Sequence, residues 1–157
     1  MIHRQAIRAV MLTSERQVLL MQVQEPSKGF KIWITPGGGV ENREDAETCL
    51  RREIQEETGA TQITIGPHIW HRHHIFEWNN QMLSQKEDYY LIPIEPFEPD
   101  MQANPSETEL MDFQQFKWWT LEEISTSQDE FVPRLLAEHL QSLILNGPPD
   151  KPIEVGI

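Results

Sequence analysis

Three consecutive glycines stand shortly before a helix that carries many acidic residues. The glycines are residues 37–39, and the helix is predicted from about Glu44 to Thr58, where Gly59 provides a C-cap. Glycine has no Cβ, so these residues allow the backbone to approach a metal ion or a phosphate closely. The segment therefore predicts a close backbone approach to a ligand, directly before a helix with one inward face.

Helical geometry places apolar and acidic residues on the same side of this helix. At about 100° per residue, Leu50 and Ile54 belong to an apolar stripe that begins at Ala46. Glu53 and Glu57 fall within roughly 20° of the start of that stripe. The inward side of the helix thus begins apolar and becomes acidic in its last two turns.

Inward carboxylates need compensation, because an unpaired buried charge is costly. Arg52 is available for this, whereas Arg51 is predicted to point to the far side of the helix. Clustered carboxylate oxygens are also the ligands that a hard cation such as Mg²⁺ requires. The alternative is a solvated acidic helix end with local ion pairs, although acidic residues there oppose the helix dipole.

Length, composition and charge narrow the class of protein. The 157 residues, 38% hydrophobic and 24% charged, are typical of one soluble globular domain, which we predict over residues 1–157 with a C-terminal tail over 146–157. The formal net charge of −12 makes nucleic acid an unfavourable partner, because its phosphates require a basic surface. A small phosphorylated substrate is compatible with this charge if divalent cations lie between the two anions.

The same sequence indicates a compartment. The N-terminal segment lacks the apolar core of a signal peptide, and no apolar run reaches the length of a membrane span. The single cysteine, Cys49, excludes an intrachain disulfide and is predicted to be a small buried hydrophobe. We therefore expect a cytoplasmic protein without a membrane partner, and the sequence is compatible with a homodimer.

Apolar segments between turn signals predict a sheet with two principal helices. Strands are predicted over residues 6–13, 17–23, 32–35, 63–78, 87–94 and 113–119, with a tight turn at 79–80. Thr120 is predicted to cap a short helical turn, and an amphipathic helix is predicted over residues 130–146. The apolar face of that second helix comprises Leu135, Leu136, Leu140, Leu143 and Ile144. This pattern indicates an α/β or α+β sandwich.

The spacing of residues from 38 to 60 is highly specific. It reads G-x5-E-x7-R-E-U-x-E-E-x-G-U, where U is an apolar residue. The matching residues are Gly38, Glu44, Arg52, Glu53, Ile54, Glu56, Glu57, Gly59 and Ala60. Nine fixed positions are far more specific than a lone glycine motif. The segment resembles a complete Nudix box, and the preceding strands and the later "FKWWTLEEI" also resemble the Nudix hydrolase family.

This resemblance implies a fold, a reaction and a cofactor. The implied fold is an α/β/α sandwich with a mixed β-sheet, in which the box forms a loop-helix-loop. The implied reaction is hydrolysis of a nucleoside diphosphate linked to another moiety, with Mg²⁺ or Mn²⁺. Carried over by position, the expected metal ligands are Glu53, Glu56 and Glu57, with a backbone carbonyl of Gly37 or Gly38.

The resemblance also implies roles for further residues. Arg52 is expected to orient the glutamates through an ion pair, and Glu44 is expected to be structural. Glu53 is one candidate for the general base. The family often draws a further glutamate from a late loop, where this chain offers Glu109, with Glu107 behind it. The Pro-rich approach to that loop indicates an exposed segment that could close over substrate.

One strand face beyond the box is a candidate substrate contact. Arg72, His74 and Phe76 share that face, and these residue types can stack on a base and contact phosphate. Core packing explains the aromatic residues of this face equally well. Lys31, just before the box, could reach phosphate, with a solvated lysine as the alternative.

The exact substrate is left open by the sequence. Candidates include nucleoside triphosphates, dinucleoside polyphosphates and ADP-ribose. A different class is a Nudix domain that senses a ligand or binds a partner without hydrolysis. Such domains can lose box glutamates, and this chain retains them all, which favours an enzyme. The H-x-H pair of His71 and His73 could bind a transition metal, but a surface role is the more common one.

Overall fold

A mixed β-sheet with helices on both faces forms the framework. The computed structural model describes residues 1–101 and 112–156, and these contain eight strands and three helices. The strands are β1 (Ile2–Leu12), β2 (Gln17–Gln24), β3 (Lys31–Ile34), β4 (Gly37–Gly39), β5 (His68–Trp78), β6 (Gln81–Pro93), β7 (Asp112–Thr120) and β8 (Ile153–Glu154). The helices are α1 (Ala46–Thr58), α2 (Leu121–Thr126) and α3 (Leu136–Asn146).

Strand β1 lies in the middle of the sheet. The strand order is β3-β2-β1-β6-β5-β8, with β4 also paired to β1 and β7 to β2. β1 runs parallel to β6, with Ile2 opposite Leu83 at one end and Leu12 opposite Pro93 at the other. β5 and β6 form an antiparallel hairpin, whose turn contains Asn79 and Asn80, both with positive φ. The mixed sheet and the tight turn are both as predicted.

The alternation of side chains along β1 separates two apolar clusters. One cluster lies under α1, whose Leu50 and Ile54 are fully buried among residues such as Ile7 and Ala9. The other lies under α2 and α3, which contribute Ile124, Leu136, Leu140 and Leu143. The fold is therefore the predicted α/β/α sandwich, with α1 on one face of the sheet and α2 and α3 on the other.

Local capping explains where the short helices begin and end. The Asp45 side chain accepts a hydrogen bond from the Thr48 amide at 2.8 Å, so α1 starts slightly later than predicted. Gly59 ends α1 in the left-handed region at φ 81° and donates its amide to Gln55, as a C-cap glycine should. Thr120 and Glu123 form a reciprocal capping box at α2, which confirms the predicted cap.

Two predicted elements are shorter in the structure. Residues 63–67 are not strand. The Gly66 amide donates to Leu91 O and the Pro67 carbonyl accepts from the Leu91 amide, but Pro67 has no N–H with which to continue a ladder. The last helix begins at Leu136 rather than at residue 130, because residues 130–132 run beside Trp33 and exchange backbone hydrogen bonds with it. Leu135 is accordingly 50% exposed and does not belong to the apolar face of α3.

The C-terminal segment contributes more than its sequence indicated. Ile153 and Glu154 form β8, which runs parallel to β5, and the Val155 amide donates to His71 O at 3.0 Å. The tail is thereby held at the edge of the sheet. No helix within residues 1–101 and 112–156 combines the length and the apolar character needed to cross a membrane.

Candidate active site

The glycine strand β4 packs directly against the acidic turns of α1. A Cβ on Gly38 would lie 2.5 Å from the carboxyl carbon of Glu53, so any side chain there would displace that carboxylate. Gly37 has φ 147°, and its Cβ would lie 2.1 Å from the Ile7 carbonyl oxygen. Only glycine fits at position 37, whereas a side chain at position 38 would force the Glu53 carboxylate to move. The glycine run is therefore what lets the backbone reach the glutamates.

Arg52 lies at the centre of an ion-pair cluster that gathers the box glutamates. Its Nε and Nη2 donate to the two carboxylate oxygens of Glu44 at 2.6 and 2.8 Å. Its Nη1 donates to Glu53 at 2.8 Å and to Glu56 at 3.2 Å, and Nη2 also donates to Gly39 O at 3.1 Å. Such bidentate charged bonds fix geometry as well as charge. The Arg52 side chain thus connects the start of the box to its acidic end.

The bonds to Arg52 strongly favour the ionised form of Glu44. The hydrogen bonds from Arg52 are the main cause that lowers the pKa of Glu44 from 4.5 to about 2. Glu44 also accepts a hydrogen bond from the Glu41 amide at 2.8 Å. Both contacts anchor the loop between β4 and α1. Arg51, by contrast, is exposed and bonds to Glu47, on the far side of the helix as predicted.

Two of the three glutamates of the predicted metal site are buried. Glu53 is fully buried, and Glu57 is 3% exposed and accepts a hydrogen bond from the Gly37 amide at 3.3 Å. Burial, followed by repulsion from Glu53, raises the pKa of Glu57 well above its ordinary value, while Arg8 acts in the opposite direction. Glu57 Oε1 is buried and has no hydrogen-bond partner among the described residues. A nearby cation would satisfy this oxygen and favour its ionised form.

The carboxylate and carbonyl oxygens present are suitable ligands for a hard divalent cation. Their side chains, however, are not arranged around one point. Within residues 1–101 and 112–156, no three His, Cys, Asp or Glu side chains converge as a metal-binding group. Glu56 bonds instead to Arg52, so it would have to turn to join Glu57. The Gly37 carbonyl accepts from Arg8 Nη1 at 3.2 Å, and the Gly38 carbonyl lies 3.7 Å from Cys49 Sγ. Cys49 itself is buried, as predicted.

A cavity of about 490 Å³ lies on the other side of Arg8. Aromatic and aliphatic side chains of β3, β5 and β6 form most of its wall, with arginines and carboxylates among them. Its lining includes Arg4, Arg8, Phe30, Ile32, Arg72, His74, Phe76, Trp78, Gln85 and Glu87. A mostly apolar cavity with a few polar groups is typical of a small-molecule site. The structure thus brings the predicted residues Arg72, His74 and Phe76 into one wall.

Within that wall, His74 and Phe76 stack with ring centroids 5.4 Å apart and an angle of 11° between the rings. Burial lowers the pKa of His74, and the charge of Arg72 lowers it further, so a neutral ring is favoured. Lys31 is exposed and does not line the cavity, although its neighbours Phe30 and Ile32 do. The structure therefore does not bring Lys31 together with the other predicted contacts.

A buried cluster of three charges connects the cavity to the glycine strand. Glu87 accepts from Arg8 Nε at 2.8 Å through one oxygen and from Arg72 Nη1 through the other. Burial alone would raise the pKa of Glu87, but the two arginines outweigh it and lower that pKa. Arg72 also donates to Gly156 O at 2.7 Å. Sequence reasoning missed Arg8 and Glu87, although a charge between apolar strand residues is a signal for them.

The remaining predicted residues lie away from this cluster or outside the residues that the structure describes. His71 pairs with Glu154 at 2.9 Å, and His73 Nε2 lies 2.8 Å from Ser84 Oγ. These contacts agree with a surface role for His71 and His73, the alternative to metal binding. Glu107 and Glu109 lie outside the described residues, so the second candidate for the general base stays a prediction.

Similarity to known proteins extends over most of the chain. The family model of the NUDIX domain, which describes the sequences of that family, matches residues 2–139 of this chain. Nudix hydrolase 25 of Arabidopsis thaliana is 27% identical over 104 residues, which are 59% of this chain and span 59% of that relative's length.

Solved structures show the same fold. The NUDIX domain of Shewanella oneidensis NrtR, solved with ADP ribose, is 19% identical, with a TM-score of 0.66 over 92% of this chain and 90% of that one. The C. elegans Ap4A hydrolase is 21% identical, with a TM-score of 0.64 over 90% of this chain and 98% of that one. The match over residues 2–139, together with the complete box on α1, shows that this chain belongs to the NUDIX family.

Proposed function

We propose that this protein hydrolyses the pyrophosphate linkage of a nucleotide or nucleotide derivative with the help of Mg²⁺ or Mn²⁺. One observation carries the proposal: Arg52 gathers Glu53 and Glu56, and Glu57 bonds the glycine strand, beside a cavity with an aromatic and arginine wall. The net charge of −12 supports a small substrate rather than nucleic acid, and the single cysteine, which suits a reducing compartment, supports a cytoplasmic location.

The metal would be held by Glu53, Glu56 and Glu57, with the carbonyl of Gly38 as a further oxygen ligand. The buried Glu57 Oε1, which has no hydrogen-bond partner among the described residues, supports this assignment. A bound divalent cation supplies neutralisation of the pyrophosphate charge and activation of water. Oxygen-only ligands suit Mg²⁺ or Mn²⁺ better than a softer metal.

The residues of the chain have separate tasks in this proposal. Arg52 holds the Glu53 and Glu56 carboxylates close together, and Glu56 would turn from Arg52 to bind the metal. The general base, which accepts a proton from the attacking water, is Glu53 or Glu109. A base from a loop outside the box would act only when that loop lies over the substrate.

The cavity is proposed to bind the nucleotide part of the substrate. The stacked pair of His74 and Phe76 offers a flat face for a base, and Arg72 offers positive charge next to it. The ADP ribose bound to the structurally similar NrtR domain and the name of the C. elegans Ap4A hydrolase support a nucleotide-type ligand. Lys31 is proposed to contact phosphate from the exposed rim.

A substrate panel tests the proposed function directly. Nucleoside triphosphates, dinucleoside polyphosphates and ADP-ribose would be incubated with Mg²⁺ or Mn²⁺, and products would be identified by phosphorus NMR. We expect cleavage within a pyrophosphate linkage that requires the cation. The absence of turnover across the panel, together with tight binding of one compound, would favour a ligand-sensing domain instead.

A further inference from the structure

Gly37 is held by hydrogen bonds from two sides. Its amide donates to Glu57 Oε2 at 3.3 Å, and its carbonyl accepts from Arg8 Nη1 at 3.2 Å. The same Arg8 nitrogen donates to Thr35 O at 3.4 Å. Because Gly37 has no side chain of its own, these contacts add to its pairing with Arg8 across β4 and β1 in holding it beside Glu57.

The Arg8 guanidinium is itself held in place by Glu87. Glu87, 3% exposed, accepts from Arg8 Nε at 2.8 Å, and its other oxygen is occupied by Arg72. Arg8 is 8% exposed, so all three charges are removed from water. Burying such charges carries a desolvation cost, and an apolar replacement would often be equally stable. A purely stabilising role is therefore a weak explanation for this cluster.

We propose that Arg8 and Glu87 are positioning residues for the active site. Glu87 fixes the Arg8 guanidinium, Arg8 fixes the carbonyls of Thr35 and Gly37, and Gly37 is thereby kept against Glu57. The structural part of this inference stands on the contacts alone, whereas its catalytic consequence rests on the proposed function. Neither residue belongs to the box, and Glu87 reaches the site across 79 residues of sequence.

The most direct test is the Arg8→Lys variant. Lysine keeps the positive charge beside Glu87, but it lacks the planar fork that reaches two carbonyls while bonding a carboxylate. Amide hydrogen exchange would be followed by NMR in the protein without metal or substrate. We expect the Gly37 amide to exchange about tenfold faster relative to the amides of β6, because its hydrogen bond to Glu57 opens more often.

Asp88→Asn is a matched control. Asp88 is the next residue of β6, and its carboxylate pairs with His68 at 3.0 Å rather than with an arginine. This control should leave the exchange of Gly37 unchanged. A second variant, Arg8→Met, removes the guanidinium while Glu87 stays paired with Arg72, and it keeps the test valid if Arg8→Lys folds poorly. It should show the same selective acceleration at Gly37.

Kinetics provide the second measurement. If the wild-type protein is active, Arg8→Lys should raise the metal concentration needed for half-maximal activity several-fold, measured at saturating nucleotide because Arg8 also lines the cavity. Normal protection of Gly37 in both folded variants would overturn this inference and leave the proposed function intact. A wild-type protein without turnover would overturn the proposed function, while the exchange data would still decide whether Arg8 holds Gly37.

Discussion

Arg52 donates two parallel hydrogen bonds to Glu44, from Nε to Oε2 at 2.6 Å and from Nη2 to Oε1 at 2.8 Å. The pair joins the loop before α1 to the middle of that helix. Because the same guanidinium also bonds Glu53 and Glu56, any movement of Glu44 is transmitted to the acidic turns. Glu44 therefore acts on the site through Arg52.

The first prediction concerns Glu44→Gln. The amide cannot reproduce the paired charge, so we expect a loss of about 1 kcal/mol for this partly exposed pair and a fall in Tm of roughly 2–4 °C. Glu41→Gln is the control, since Glu41 is 61% exposed and lies 3.7 Å from Arg52 Nη1. A Glu44→Gln protein with unchanged Tm at neutral pH would contradict the anchoring role.

The same variant has a defined pH dependence. The pKa of Glu44 is lowered from 4.5 to about 2 in the folded protein, so its ion pair stabilises the fold above about pH 4.5. That contribution is lost as the pH falls toward about 2. Thermal unfolding of both proteins should therefore show a difference in Tm that is constant at neutral pH and narrows across this acidic window.

The second prediction concerns the proposed metal ligands. At the Mg²⁺ concentration that suffices for the wild-type protein, Glu56→Gln and Glu57→Gln should each lower turnover by orders of magnitude and leave the fold intact. In the absence of metal, Glu57→Gln should also raise Tm, because burial and the neighbouring Glu53 disfavour its charge. Added Mg²⁺ should raise the Tm of the wild-type protein more than that of Glu57→Gln.

Glu47→Gln is the matched control on the same helix. Glu47 is 64% exposed and pairs with Arg51 on the far side of α1. It should keep wild-type activity and the wild-type response to Mg²⁺. Wild-type activity in both Glu56→Gln and Glu57→Gln would show that the metal site lies elsewhere.

The third prediction concerns the aromatic wall of the cavity. Phe76→Ala should raise the KM for a nucleotide substrate about tenfold, since stacking on an aromatic ring contributes roughly 1–3 kcal/mol per base. Ile75→Ala is the control, because Ile75 lies on the opposite face of β5 and is 51% exposed. Steady-state kinetics would give the KM of each variant for the same nucleotide. Equal KM values would place the base outside this cavity.

The fourth prediction concerns Arg72. Arg72→Ala should lower kcat/KM by roughly tenfold or more, as expected for a lost charged hydrogen bond to substrate. It should also lower Tm, because Glu87 would keep only one of its two arginines and Gly156 would lose its donor. Lower stability with unchanged kinetics would assign Arg72 to the core alone.

The fifth prediction separates a general base from a metal ligand. Glu109→Gln should lower kcat at saturating Mg²⁺ and flatten the acidic limb of the pH–rate profile. Glu57→Gln should mainly raise the concentration of Mg²⁺ that activity requires. These two signatures are measured in one set of pH and metal titrations. A normal kcat and a normal profile for Glu109→Gln would move the base to Glu53.

Local features of this protein could be predicted from the sequence alone. The box spacing predicted helix α1, and Gly59 and Thr120 were predicted as caps because capping depends on residues within one helical turn. The burial of Leu50 and Ile54 followed from helical periodicity in the same way. The outward direction of Arg51 is a further consequence of that period.

Contacts between residues far apart in the sequence depend on how the strands pair and pack. Arg8 and Glu87 are 79 residues apart and become neighbours because β1 pairs with β6 in parallel, a register that no local pattern specifies. The late start of the last helix has the same origin, since residues 130–132 bond to Trp33 instead of forming the first helical turn. Periodicity reports the environment of one element, whereas the partner of a buried charge depends on how separate elements pack.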